Sequence, residues 1–192
     1  MPPLILASSS AYRQELLRRL GLPFDCAAPG VDETTLASET HLDRAVRLAL
    51  AKAAAVAMRH AGSTVIGSDQ VGVCKGELLD KPGNAARARA QLQRLSAAAA
   101  TFHTAVAVLQ LERGTSLQFV DTTTVYFRAL SDHEIDRYIA LEQPFDCAGG
   151  FRCEGLGISL FSRVVSEDPT GLVGLPLIAV ARSLRQLGYD VP

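Results

Sequence analysis

Apolar and polar positions follow one another along this chain in blocks whose period changes. Leu4 to Ala7 is a short apolar run that stops at Ser8, Ser9 and Ser10, after which Leu16, Leu17 and Leu20 recur at helical spacing. This predicts a strand, a polar loop and a helix over Tyr12–Leu20, closed by Gly21. From His41 to His60 good helix formers, alanine above all, dominate and Gly62 follows, which predicts the longest helix in the chain. Thr64 to Gly67 is β-branched and apolar and predicts a buried strand, with the polar Ser68, Asp69 and Gln70 as a loop at its end. Asn84 can cap a helix over Ala85–Leu95. The β-rich runs Thr101–Leu111 and Leu117–Phe127 predict a hairpin turning through Arg113-Gly114. Ser131 with Glu134 reads as a capping box opening a helix to about Leu141, and Leu175–Leu187 predicts the last helix, ended by Gly188. With no repeat, low-complexity tract or linker, the chain reads as a single mixed α/β domain over residues 1–192.

Composition narrows the class. A hydrophobic share of 48% and a charged share of 20% suit a soluble globular protein with an ordinary core. Formal net charge is -1, so no basic field exists to hold a nucleic-acid polymer by its phosphates. A local cluster of Lys and Arg could still bind a small anion. No basic residue precedes the first apolar run, which is too short for a signal segment, and Lys52 and Pro176 interrupt the apolar stretches that come nearest to a membrane span. A cytoplasmic protein without a membrane partner is expected. There Cys26, Cys74, Cys147 and Cys153 would be reduced, and with no C-x-x-C pair they read as small core hydrophobes. A homodimer is compatible with the sequence.

Candidate chemistry begins with exclusions. There is no G-x-x-x-x-G-K-[ST] loop and no H-E-x-x-H. Gly155-Leu156-Gly157 starts like a dinucleotide fingerprint, but Leu160 stands where the third glycine belongs. What remains is carboxylates and lysines at loop edges: Asp32-Glu33, Asp69 and Asp80-Lys81. Such oxygen ligands suit Mg²⁺ or Mn²⁺, which binds through one or two carboxylates plus substrate phosphates. Lys52 sits among alanines and leucines, where it either points into a polar cleft or snorkels to solvent; composition alone favours the second. Asp69 could equally be a turn former. Arg13 with Ser8 to Ser10 could cup a phosphate, although a helix-surface arginine is the simpler reading of Arg13 alone.

Taken together, LASSSAYRQELL, VDET, the Lys52 helix, VIGSDQV, LLDKP, CAGGFRCEGLGISLF and EDPTGLVGLPL resemble, in order, the motifs of the Maf family of nucleotide pyrophosphatases. The resemblance spans nearly the whole chain. It implies an α/β fold related to the inosine triphosphate pyrophosphatases, with an elongated mixed sheet flanked by helices and a cleft between two lobes. It also implies metal-dependent hydrolysis of a nucleoside triphosphate to the monophosphate and diphosphate, so the partner is a small-molecule nucleotide. By the same resemblance Asp69 is the proton acceptor, Glu33 and Asp69 hold the divalent metal, Lys52 and Lys81 complete the catalytic set, and Ser8 and Arg13 face the phosphates.

Gln70, Glu154 and the aromatic Tyr12 resemble the branch of the family that acts on 7-methyl-GTP. A carboxylate can accept from N1–H and the exocyclic amine of guanine while opposing the charge that methylation adds. A tyrosine face can stack on the cationic ring. Ala11, Gln14 and Gly150 depart from the residues usual at those positions, proline, arginine and serine. Two alternatives stay open: a dTTP/UTP pyrophosphatase, and a nucleotide-binding regulator of septum formation with little turnover.

Overall fold

The computed structural model describes all residues, 1–192. Five α-helices and seven strands follow in the order β1 (Leu4–Leu6), α1 (Ala11–Arg18), β2 (Asp25–Cys26), α2 (His41–Ala57), β3 (Thr64–Cys74), β4 (Glu77–Leu79), α3 (Ala85–Leu95), β5 (Ala99–Gln110), β6 (Thr115–Phe127), α4 (Asp132–Glu142), β7 (Phe161–Val165) and α5 (Leu177–Gln186). The strands form one mixed sheet in the order β2-β1-β3-β5-β6-β7, with β4 hydrogen-bonded to β3 off that path. β1 runs parallel to both β2 and β3, whereas β4 and β7 run antiparallel to β3 and β6. The class is therefore α/β, as the periodicities predict.

The chain divides into two compact units. The first comprises Met1–Gln70, His103–Asp121 and Asp168–Pro192; the second comprises Val71–Phe102 and Thr122–Glu167. In the first unit, Leu6, Ile66 and Val106 point to one side of the sheet and pack with Leu16 and Leu17 of α1 and Val180 and Leu184 of α5. Ile5, Val65 and Ala107 point to the other side and pack with Ala53, Val56 and Ala57 of α2. Two-residue alternation along each strand serves both faces. In the second unit Phe102, Phe127, Phe151 and Phe161 stack edge to face, with centroids 5.1 to 5.5 Å apart.

Local chemistry accounts for the element ends. Thr40, Asn84 and Ser131 cap α2, α3 and α4, and Ser131 with Glu134 forms the full capping box. Gly21 and Gly188, at φ +70 and +88, follow the ends of α1 and α5. The hairpin from β5 to β6 turns through Leu111–Arg113 and Gly114, the latter in the left-handed region. One expectation fails outright: Ser68, Asp69 and Gln70 do not form a loop, because β3 continues through them to Cys74. The cysteines also depart from a uniform core role, since only Cys74 is buried and Cys26 is exposed on the short β2; all four are free.

Candidate active site

Alternation along β3 sorts its polar residues. Gly67 and Asp69 point toward α2, while Ser68 and Gln70 point toward the loop that leads into α5. Gly67 lets the helix come close: a Cβ there would lie 2.3 Å from the Ala49 carbonyl oxygen and 2.6 Å from the Ala53 nitrogen. This approach brings Lys52, on the same stretch of α2, against Asp69.

Lys52 Nζ donates to Asp69 Oδ1 at 2.7 Å and lies 2.7 Å from Glu33 Oε1. The Lys52 and Asp69 side chains are 9% and 10% exposed, so this ammonium does not snorkel to solvent; Glu33, at 54%, lies on the open side. The loop carrying Glu33 is held by α2 as well. Arg44 donates to the Glu33 carbonyl at 3.2 Å and Arg47 to the Thr34 carbonyl at 3.1 Å, while Asp32 accepts from the amide and hydroxyl of Thr34 at 2.9 and 2.6 Å. Arg47 also grips Glu39 with two 2.7 Å bonds, which pull the Glu39 carboxyl down to about 2.

Burial raises the Asp69 carboxyl above the ordinary aspartate value, and Lys52 and Arg13 oppose the rise. Burial likewise lowers the Arg13 guanidinium from its usual value, against the pull of Asp69 and Glu33. Arg13 lies in the first turns of α1, where Ser10 caps the helix and the Ser8 hydroxyl accepts the Ser10 amide at 3.1 Å. Its Nε donates to the Gly174 carbonyl at 2.9 Å, and the Ser68 hydroxyl donates to the same oxygen at 2.8 Å. Gly174 has φ +114, and a Cβ there would lie 3.2 Å from Arg13 Nε. Tyr12 is half-buried beside Arg13.

The Gln70 amide nitrogen lies 2.9 Å from Thr104 Oγ1 and 3.0 Å from each of the carbonyls of Gly171 and Leu172, its two hydrogens shared among the three acceptors. That end of the side chain therefore clamps the Gly171–Leu172 turn. The same loop caps α5 from a distance, because its N-cap, Pro176, has no side-chain oxygen to offer. Asp168 accepts from the Ile178 amide and Thr170 Oγ1 from the Leu177 amide, both at 2.7 Å.

Lys81 and Glu154 belong to the second unit. Lys81 is exposed in the loop after β4, and its loop is tied to the loop after α4 on both sides: Gly149 N donates to the Asp80 carbonyl at 3.1 Å and Gly83 N to the Phe145 carbonyl at 2.9 Å. Gly149 and Gly150, at φ +79 and +70, supply the turn. Buried Phe151 anchors it in the aromatic cluster. Beyond it, Glu154 lies 3.7 Å from Arg152 Nε and accepts from the Cys153 thiol at 3.2 Å; burial and this carboxylate push that thiol up to about 12. The structure thus gathers Asp69, Lys52, Glu33 and Arg13 in one unit and Lys81 and Glu154 in the other. Two further groups carry no sequence signal: the Gly174 carbonyl, which has no side-chain signature, and Glu142, whose carboxylate holds the Glu154 loop.

Geometry and sequence together define a class. The model of Maf-like proteins matches residues 3–187, and the chain belongs to that family. Proteins named 7-methyl-GTP pyrophosphatase resemble it over its full length and theirs: one from Xanthomonas oryzae pv. oryzae is 54% identical and one from Xanthomonas campestris pv. campestris is 55% identical, each over 192 residues. Among solved structures, the Staphylococcus aureus Ham1 protein superimposes with a TM-score of 0.54 at 13% identity, covering 97% of this chain and 100% of that one, which is a likeness of fold alone.

Proposed function

We propose that this chain hydrolyses 7-methyl-GTP between its α and β phosphates, adding water and releasing 7-methyl-GMP and diphosphate. The observation that carries the reading is the buried Asp69 carboxylate, held at 2.7 Å by Lys52 in a member of the Maf family. The full-length similarity to relatives bearing that activity's name supports it.

Asp69 is the proton acceptor. Burial makes its carboxylate a stronger base than an exposed aspartate, and the bond from Lys52 leaves Oδ1 fixed in direction. In the first unit Lys52 and Arg13 supply positive charge against the oxygens on which negative charge grows during the displacement, and in the second Lys81 is the cation that the family resemblance assigns to the catalytic set. The Ser10 cap and the Gly174 carbonyl hold Arg13 in one pose, so little reorganisation is needed when phosphates arrive. Ser8, at the start of the same loop, faces the phosphates with it.

Two carboxylates on one ammonium, Asp69 and Glu33, fit Mg²⁺ or Mn²⁺, since such ions take hard oxygen donors and complete their shell with substrate phosphates. When bound, the ion would withdraw charge from the phosphate oxygens. In the second unit Glu154 reads the donor edge of the methylated guanine; in the first, Tyr12 offers an aromatic face and Gln70 keeps the Gly171–Leu172 turn in place beside the strand. Steady-state hydrolysis of 7-methyl-GTP, GTP, dTTP and UTP with Mg²⁺ or Mn²⁺ tests the reading. Turnover of dTTP or UTP that equals or exceeds that of 7-methyl-GTP would exclude it.

A further inference from the structure

Glu142, the last residue of α4, sends its carboxylate under the loop that carries Glu154. Its side chain is 9% exposed, against 30% for Glu154. Oε2 accepts the Leu156 amide at 2.6 Å, and Oε1 accepts Arg152 Nη1 at 3.4 Å. Gly155 passes directly over it: a Cβ there would lie 2.6 Å from both carboxylate oxygens. The Tyr138 hydroxyl accepts the Arg152 amide at 3.0 Å and so fixes the point from which the arginine side chain starts.

The other edge of the same guanidinium faces Glu154. Arg152 Nε stands 3.7 Å from Glu154 Oε1, within ion-pair range and beyond a hydrogen bond. Two carboxylates therefore border one guanidinium. The shorter and more buried contact belongs to Glu142. A guanidinium engaged there cannot turn its fork onto Glu154 for a bidentate pair.

We propose that Glu142 is a positioning residue for base selectivity: by holding Arg152, it keeps that guanidinium from forming a bidentate hydrogen-bonded pair with Glu154 and leaves the Glu154 carboxylate oxygens for a cationic base. The inference rests on the reading of Glu154 given above. Without the Glu142 charge, Arg152 closes onto Glu154 and sets a hydrogen-bonded cation on the carboxylate proposed to read the methylated ring. That arrangement repels the substrate as well as occupying its acceptor.

The test measures KM and kcat for 7-methyl-GTP and GTP in the wild type, Glu142→Gln, Arg152→Ala and the double variant. Glutamine keeps an oxygen for the Leu156 amide, and a melting curve checks that the loop's unit stays folded. Glu142→Gln is expected to raise KM for 7-methyl-GTP about tenfold and that for GTP less than about threefold, with kcat within about twofold, the pattern of lost ground-state binding. Adding Arg152→Ala to Glu142→Gln should return the 7-methyl-GTP KM to that of Arg152→Ala alone, a rescue that a merely structural role of Glu142 would not give. An unchanged KM ratio between the two nucleotides, or no rescue, overturns the proposal. Should Glu142→Gln fail to fold, Arg152→Ala alone decides: a lower KM for 7-methyl-GTP relative to GTP supports the proposal, and an unchanged or higher one overturns it. Glu154→Gln separates the two levels. Loss of base preference in Glu154→Gln with none in Glu142→Gln removes only the positioning role; unchanged preference in Glu154→Gln removes the reading of Glu154 and the positioning role with it.

Discussion

Asp69 and Lys52 form a pair whose partners are each about nine-tenths buried. Lys52→Met would leave the buried carboxylate without its ammonium and should cost about 3–5 kcal/mol of stability, read by denaturant unfolding. Asp69→Asn should act differently. Asparagine keeps the shape while losing the proton acceptor, so kcat should fall by about 10²- to 10⁴-fold while nucleotide affinity, measured by calorimetry, changes far less. Equal losses of affinity and turnover would instead make Asp69 a binding group. At this scale the sequence was informative about which residues carry charge into the site and silent about what holds them. Lys52 among alanines read more simply as a snorkelling side chain, and only the approach of α2 over Gly67 shows where its ammonium goes. The Gly174 carbonyl, shared by Arg13 and Ser68, could not be seen in the sequence because every residue carries the same backbone acceptor.

Among the elements, β3 is where sequence patterning misleads. Three polar residues after an apolar run suggest a loop, yet each finds a partner in the extended conformation: Ser68 and Gln70 on the α5 side, Asp69 on the α2 side. Burial of paired polar groups is compatible with a central strand, and the sequence does not disclose the pairing. The short β2, β4 and β7 carry no sequence signal either, being two to five residues long and partly or wholly exposed. The helices are legible to within a few residues: α3 and α4 from the caps Asn84 and Ser131, α1 and α5 from the glycines that follow them, and α2 from its run of helix formers.

Two predictions follow from these elements. Gly67→Ala would drive a Cβ into the Ala49 carbonyl and push α2 off the strand, lowering stability by about 1–3 kcal/mol or more and separating Lys52 from Asp69. Thermal melting and turnover should therefore fall together. The α4 capping box gives a pH signature. Ser131 and Arg128 hold the Glu134 carboxyl down at about 2, below the ordinary glutamate range. Its stabilising contribution is thus complete above that range and is lost as pH falls toward 2. The difference in melting temperature between wild type and Glu134→Gln should be constant near neutrality and vanish toward pH 2.

For the whole molecule, the sequence reads as one domain, while the chain divides into two compact units, three of whose four boundaries fall within β3, β5 and β6. No linker or change of composition marks those three, because each strand is continuous across them. The division assigns the residues by task. The first unit carries Asp69, Lys52, Glu33 and Arg13, the groups proposed for the phosphates; the second carries Lys81 and the Glu154 loop, proposed for phosphate charge and for the base. Base selection is the most exposed claim of the proposed activity. The measurement that bears on it most directly is kcat/KM for 7-methyl-GTP, GTP, dTTP and UTP, with products identified by chromatography, for wild type and Glu154→Gln. The expected result is a wild-type preference for 7-methyl-GTP with release of 7-methyl-GMP and diphosphate, and a Glu154→Gln enzyme that keeps turnover while losing about tenfold or more of that preference. Equal or faster hydrolysis of dTTP and UTP by the wild type, or loss of turnover on every nucleotide in Glu154→Gln, would contradict it.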